Sequence, residues 1–175
     1  MSVVGFDLGN RSCVVAVARQ RGIDAVLNDE SKHETPTIVC FSEKQRFLGI
    51  DLMALPFAVT EGPDGFPLIH AQYLGETKTF TPTQVMGMVF SNMKTIAENN
   101  LNAAVVDCCI TIPIYFPDLQ RRAVMDAAER VGLHPLRLMH ETSATALAYG
   151  IYKTDLPENE QLYVGNALLL RTFHN

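Results

Sequence analysis

The chain has 175 residues, of which 47% are hydrophobic and 19% charged, and its formal net charge is −5. These proportions suit one folded domain, or most of two small ones, and exclude disorder as the character of the whole chain. A negative balance without a long basic run argues against a protein that grips the phosphate backbone of DNA or RNA.

The first forty-odd residues read as strands. Val3 to Leu8 is a short apolar run broken by Gly9-Asn10, and Cys13 to Ala18 is a second, so the pair predicts a β-hairpin around a tight glycine turn. Ile23 to Leu27 extends it as a meander. Thr37 to Phe41 and Arg46 to Leu48, rich in β-branched or aromatic residues, predict two more short strands. Glu34-Thr35-Pro36 reads as a loop, because the residue before a proline is pushed out of the helical region.

Residues 50 to 80 read as an irregular insert, with a turn cluster at Glu61-Gly62-Pro63-Asp64-Gly65 and one candidate strand, Pro67 to Tyr73. A helix opens at Thr81-Pro82-Thr83-Gln84. Thr81 is its N-cap, Pro82 suits the first helical position, and Gln84 completes the capping-box spacing. Val85, Met88, Val89, Met93 and Ile96 carry an apolar stripe to about Asn99. Val105 to Ile112, apolar but for Asp107, predicts a strand buried on both faces. A helix over Asp118 to Val131 stops at Gly132, Leu136 to Met139 is a short strand, and Glu141 to Tyr149 is a third helix ending at Gly150. The sum is an α/β lobe with a mixed sheet and flanking helices.

The four cysteines form no C-x-x-C pair, so Cys13, Cys40, Cys108 and Cys109 read as buried thiols in a reducing compartment. The five histidines show no metal-ligand spacing. The start, Met-Ser-Val-Val-Gly, lacks the features of a signal peptide, and no run approaches the ~20 apolar residues of a membrane span. The cell interior is the expected location.

Three segments could carry chemistry. In Gly5-Phe6-Asp7-Leu8-Gly9-Asn10-Arg11-Ser12, Gly9 lets backbone N–H groups approach phosphate oxygens, and Asp7 could hold magnesium through water. Taken alone, the same pattern describes an aspartate that caps a hairpin turn. In Ile112-Pro113 through Arg121-Arg122, a proline ending a buried strand could relay a shift to Arg121, or the segment is a plain connection with solvated arginines. In Met139-His140-Glu141-Thr142-Ser143-Ala144, Glu141 sits at a helix start, where the dipole favours a carboxylate, for chemistry or for simple capping. A Walker loop and a G-x-G-x-x-G run are absent from the sequence.

In order, "GFDLGNRSCVVAVAR", "TPTIVCF", "FTPTQVMGM" and the run from "AVVDCCITIPIYFPDLQRR" to "MHETSATALAYGIYK" resemble the ATPase domain of the 70-kDa heat-shock chaperone superfamily, closest to its large 110-kDa branch. The resemblance implies an actin-like, ribonuclease-H-like fold, here its first lobe only. It implies ATP or ADP with magnesium as cofactor. Asp7, Leu8, Gly9, Asn10 and Arg11 match the first phosphate loop, and Glu141 matches the acid that acts on magnesium and water near the γ-phosphate. Pro113 and Arg121 match the proline switch and its arginine. Smaller heat-shock chaperones and unfolded polypeptides are the implied partners, with no nucleic acid and no membrane, in the cytoplasm or nucleus.

The sequence also departs from that pattern. Asn10 and Arg11 stand where the hydrolytic form carries hydroxyl residues. A helical section with the lysine that the family places by the γ-phosphate is missing near residues 49 to 52. Residues 1 to 163 therefore read as a partial nucleotide-binding domain, and 164 to 175 as a divergent tail. The expectation is an ATP-binding chaperone fragment, impaired as it stands and not hydrolysing ATP alone. The alternatives are a non-catalytic module that docks on a full-length chaperone through the helices at 81–99 and 118–131, or a truncated product without function.

Overall fold

Apolar residues alternate with small or polar ones along the first two strands, and this alternation builds one face of the central sheet. In the computed structural model, which describes residues 3–19, 22–41, 46–48 and 58–151, Val4, Phe6 and Leu8 of β1 (Val4–Leu8) point to the same buried side as Cys13, Val15 and Val17 of β2 (Ser12–Arg19). The hairpin pairs Leu8 with Cys13 and Val4 with Val17. Along its other edge, β2 pairs antiparallel with β3 (Gly22–Ala25) and then with β4 (Glu34–Pro36).

The strand at Glu34–Pro36 corrects the loop expected there. Pro36 lies opposite Ser12 at the strand's end, where its lack of an N–H removes little from the ladder. The chain then forms a hairpin of β5 (Val39–Phe41) and β6 (Arg46–Leu48).

The insert is more ordered than its sequence suggests. Within residues 58–80 it is a three-stranded antiparallel sheet of β7 (Ala58–Glu61), β8 (Pro67–Tyr73) and β9 (Glu76–Phe80). The Glu61–Gly65 cluster makes the first turn. Leu74 and Gly75 make the second with φ of 57° and 78°, a two-residue turn with both central residues left-handed. Phe41 stacks on Phe80 at 4.7 Å and meets Tyr73 edge-on at 5.9 Å, joining this sheet to the β5–β6 hairpin.

The first helix, α1 (Pro82–Leu101), begins as predicted. Thr81 Oγ1 accepts from the Gln84 N–H at 3.2 Å while Gln84 Oε1 accepts from the Thr81 N–H at 2.8 Å. Its stripe of Val89, Phe90, Met93, Ile96 and Ala97 covers the buried face of the sheet. A helical crossover follows: β10 (Asp107–Ile112), α2 (Asp118–Arg130), β11 (His134–His140), with β10 and β11 parallel. The expected Leu136–Met139 strand is longer on both sides, and its register shifts between Cys108 and Cys109, so that Pro135 and Arg137 face consecutive residues of β10. The last helix, α3 (Glu141–Ile151), packs on β10 and β11 and runs through Gly150 rather than stopping there.

The main sheet has the order β11-β10-β1-β2-β3, with β1 parallel to β10 and antiparallel to β2. Its core lies under α1 and α2, which approach each other where Gly87 faces the Ala127 carbonyl. β10 is fully buried only on that side, through Cys108, Ile110 and Ile112. Cys109 and Thr111 are half-buried, which corrects the expectation of burial on both faces. The join near 49–52 and the tail 164–175 lie outside the described residues.

Candidate functional site

Three parallel strands, β1, β10 and β11, end side by side, and each sequence-predicted segment follows one of those ends. Asp7 and the Leu8–Arg11 turn close β1, Pro113 follows β10, and Glu141 follows β11. The carboxyl ends of neighbouring parallel strands form the edge at which α/β sheets place their ligands. Asp7, Gly9, Pro113 and Glu141 thus share one edge although up to 134 positions separate them along the chain.

The acidic groups there are accessible. Asp7 is exposed, and its Oδ1 accepts a hydrogen bond from the Thr111 hydroxyl at 2.5 Å across the β1–β10 pair. Glu141 is half-buried at the first position of α3, and its carboxylate has no hydrogen-bond or ion-pair partner among the described residues. In the turn, a Cβ on Gly9 would collide with the Ser12 carbonyl, so only glycine leaves the backbone this tightly folded.

Neighbours hold the turn on two sides. Thr37 Oγ1 donates to the Gly9 carbonyl at 2.8 Å, and the Thr37 N–H donates to the Arg11 carbonyl at 2.9 Å. Since the Thr37 hydroxyl proton is used on Gly9, the Cys13 thiol, 3.0 Å away, donates to Thr37 Oγ1. Burial pushes the Cys13 thiol up from its ordinary value. On the other side, the Asn10 side-chain amide donates to the Tyr115 hydroxyl at 3.0 Å. An open depression of about 620 Å³ lies beside the turn, lined by Asn10, Arg11, Ser12, Lys32 and Glu34 among others.

The segment after Pro113 is tied to the same edge. Pro113 is buried, and its carbonyl accepts from the Phe116 N–H at 3.2 Å. Arg121 donates through Nε to the Phe116 carbonyl at 3.0 Å and through Nη2 to His140 Nε2 at 2.6 Å. A guanidinium has no acceptor, so His140 Nε2 is the acceptor in this bond. His140 adjoins Glu141. The arginine therefore touches both the loop after Pro113 and the strand end that precedes Glu141.

Thr37, Thr111, Tyr115 and His140 were not among the predicted site residues. Their signal was weak but present: Thr37 lies in the "TPTIVCF" segment, Thr111 two residues before Pro113, and Tyr115 two after it.

Comparison with known proteins agrees with this geometry. The sequence model of the family described as Hsp70 protein matches residues 3–54 and 49–164. The chain belongs to that family, and its mixed sheet with flanking helices is one partial lobe of the family's actin-like ATPase fold. Among individual relatives, it is 64% identical to heat shock 70 kDa protein 15 of Arabidopsis thaliana over 94% of its own length and 24% of that protein's. It is 42% identical to the 97 kDa heat shock protein of Strongylocentrotus purpuratus, over 92% of its own length and 22% of that protein's. It is 40% identical to heat shock protein 110 of Caenorhabditis elegans, over 91% of its own length and 25% of that protein's. The chain thus spans about a quarter of the length of these relatives.

The residues present fit part of a magnesium–nucleotide site. Asp7 and Glu141 offer the hard oxygen donors that magnesium takes, directly or through water, and the Asn10 N–H in the glycine turn has no backbone acceptor among the described residues. Among the described residues, no group of three or more His, Cys, Asp or Glu side chains could by itself enclose a metal ion.

Proposed function

We propose that residues 1–163 form the first-lobe half of an ATP site in a chaperone of the large heat-shock branch, joined across a deletion near 49–52 and followed by a divergent tail. The observation that carries this reading is the shared edge of Asp7, Gly9, Pro113 and Glu141 at three parallel strand ends. The two separate stretches of family match, meeting at 49–54, support the deletion.

In this reading the backbone of Gly9, Asn10 and Arg11 receives phosphate oxygens, and Asp7, aligned by Thr111, holds magnesium through water. Glu141 orients water near the γ-phosphate. Mg·ATP, when bound, would supply the cation that the Asp7 and Glu141 carboxylates attract and the phosphate oxygens that the turn's N–H groups receive. Asn10 and Arg11, in place of hydroxyl residues, favour nucleotide binding over hydrolysis. Pro113 and Arg121 carry the state of the edge outward through the Phe116 carbonyl and His140. Unfolded polypeptides and smaller heat-shock chaperones in the cytoplasm or nucleus are the proposed partners.

An actin-like site is a cleft between two lobes, and one lobe supplies part of the contacts. A complete site binding at about 1 μM is worth roughly −8 kcal/mol, and half of that free energy leaves about millimolar binding. Titration of the 175-residue chain with a fluorescent ATP analogue tests this: saturation at about millimolar concentration, lost in Asp7→Ala, supports the reading. Tight, micromolar binding that survives Asp7→Ala would place the nucleotide elsewhere.

A further inference from the structure

We propose that Thr37 is the positioning residue of the phosphate turn, setting which way its peptide groups face; this rests on the turn's reading as a phosphate site. Two carbonyls of the turn end on Thr37, that of Gly9 on its hydroxyl at 2.8 Å and that of Arg11 on its N–H at 2.9 Å. All described peptide bonds are trans, so the N–H across each of these peptides points opposite its carbonyl. The Asn10 and Ser12 N–H groups therefore face away from Thr37, and the Asn10 N–H has no backbone acceptor among the described residues.

An anion needs N–H groups that are not spent on protein acceptors, and carbonyls turned toward it would repel it. The Gly9–Asn10 peptide is the weak point, because a peptide beside glycine rotates at little steric cost. Thr37 opposes that rotation by giving the Gly9 carbonyl a donor. The Cys13 thiol in turn supplies a proton to Thr37 Oγ1, which fixes the hydroxyl rotor in the orientation that serves Gly9. The strand β4 places Thr37 there, since Pro36 is registered against Ser12 at its end.

Thr37→Val keeps the branched shape and deletes the hydroxyl; Thr37→Ser keeps the hydroxyl. In the ligand-free 175-residue chain, amide hydrogen exchange at residue 37 should be about five- to tenfold faster in Thr37→Val and near the parent rate in Thr37→Ser. Thermal melting of each variant separates a loosened turn from a lost fold. The Mg·ATP dissociation constant should rise by a similar factor, about five- to tenfold, in Thr37→Val alone. Unchanged exchange in Thr37→Val, or a valine variant that binds Mg·ATP as the parent does, overturns the proposal. A parent chain that ignores Mg·ATP altogether counts against the nucleotide reading instead, and the exchange rates and the serine rescue then decide the role of Thr37.

Discussion

Thr111 and Asp7, 104 positions apart, are paired residues of adjacent parallel strands, and the threonine hydroxyl donates to the aspartate carboxylate at 2.5 Å. The bond fixes the rotamer of an acid that otherwise stands in solvent. Thr111→Val preserves the β-branched shape that β10 packs and removes only the donor. Because the pair is exposed, the expected cost is small, about 0.5–1 kcal/mol in urea denaturation. Nucleotide affinity, read by the fluorescent analogue, should fall further than stability does.

The capping box at Thr81 and Gln84 should be worth more than an average surface pair. Thr81→Ala leaves the Gln84 N–H of α1 without its side-chain acceptor and should cost about 1 kcal/mol. For a domain of this size that is a fall of roughly 2–5 °C in Tm by circular dichroism. Gln84→Ala, which removes the reciprocal bond alone, should cost less.

Leu74 offers the opposite case, a gain. Its φ of 57° places a bulky, exposed side chain in the left-handed region at the first position of a two-residue turn. Asparagine tolerates that conformation far better, and Asn-Gly is the preferred pair for such turns. Leu74→Asn should stabilise the chain by about 0.5–1 kcal/mol, seen as a higher denaturation midpoint with an unchanged slope.

Arg121 ties the loop after Pro113 to the end of β11, beside the point where Ile112 pairs with His140. Arg121→Ala removes donors from the Phe116 carbonyl and from His140 Nε2, and should cost about 1–2 kcal/mol. Hydrogen exchange should rise both in residues 114–119 and at the end of β11. Arg121→Lys, a point charge without the planar fork, should restore at most one of the two contacts.

Burial gives alkaline pH a defined effect. The Cys108 thiol is pushed from 9.0 up to about 12, first by its burial and then by Cys109 and Asp107. Above pH 9 the unfolded chain gives up this proton while the folded chain keeps it, so stability falls as pH rises toward about 12. Cys13 acts in the same direction. Urea denaturation between pH 8 and about 10 should show a shallower decline in Cys108→Ala than in the parent chain.

Much of this architecture was legible because local chemistry agreed with the fold. The Thr81-Pro82-Thr83-Gln84 start, the stripe from Val89 to Ile96 and the Gly9 turn each declare themselves within a few residues. Of the β7–β9 sheet only the strand Pro67–Tyr73 and the turn before it did, since Ala58–Glu61 is exposed along its length and shows no apolar alternation, and Leu74-Gly75 is an atypical turn pair. Glu34–Pro36 was hidden by its proline, whose place at a strand end depends on the partner Ser12. At the site, the loops were visible as motifs. The side chains that brace them, Thr37, Thr111, Tyr115 and His140, were not, because each acts on a residue 19 to 105 positions away.

The position of β1 in the sheet has a consequence for synthesis. β1 lies in the middle of the sheet, and its second edge waits for β10, which the ribosome finishes about a hundred residues after it. Until Ile112 has emerged, the β1–β2 hairpin has a bare flank, and Val4 and Phe6 lack their strand partners Cys108 and Ile110. Thr37 follows soon after the Gly9 turn that it holds, but Tyr115 comes 105 positions after Asn10, so the turn gains its second brace only once β10 has covered the exposed apolar flank of the hairpin.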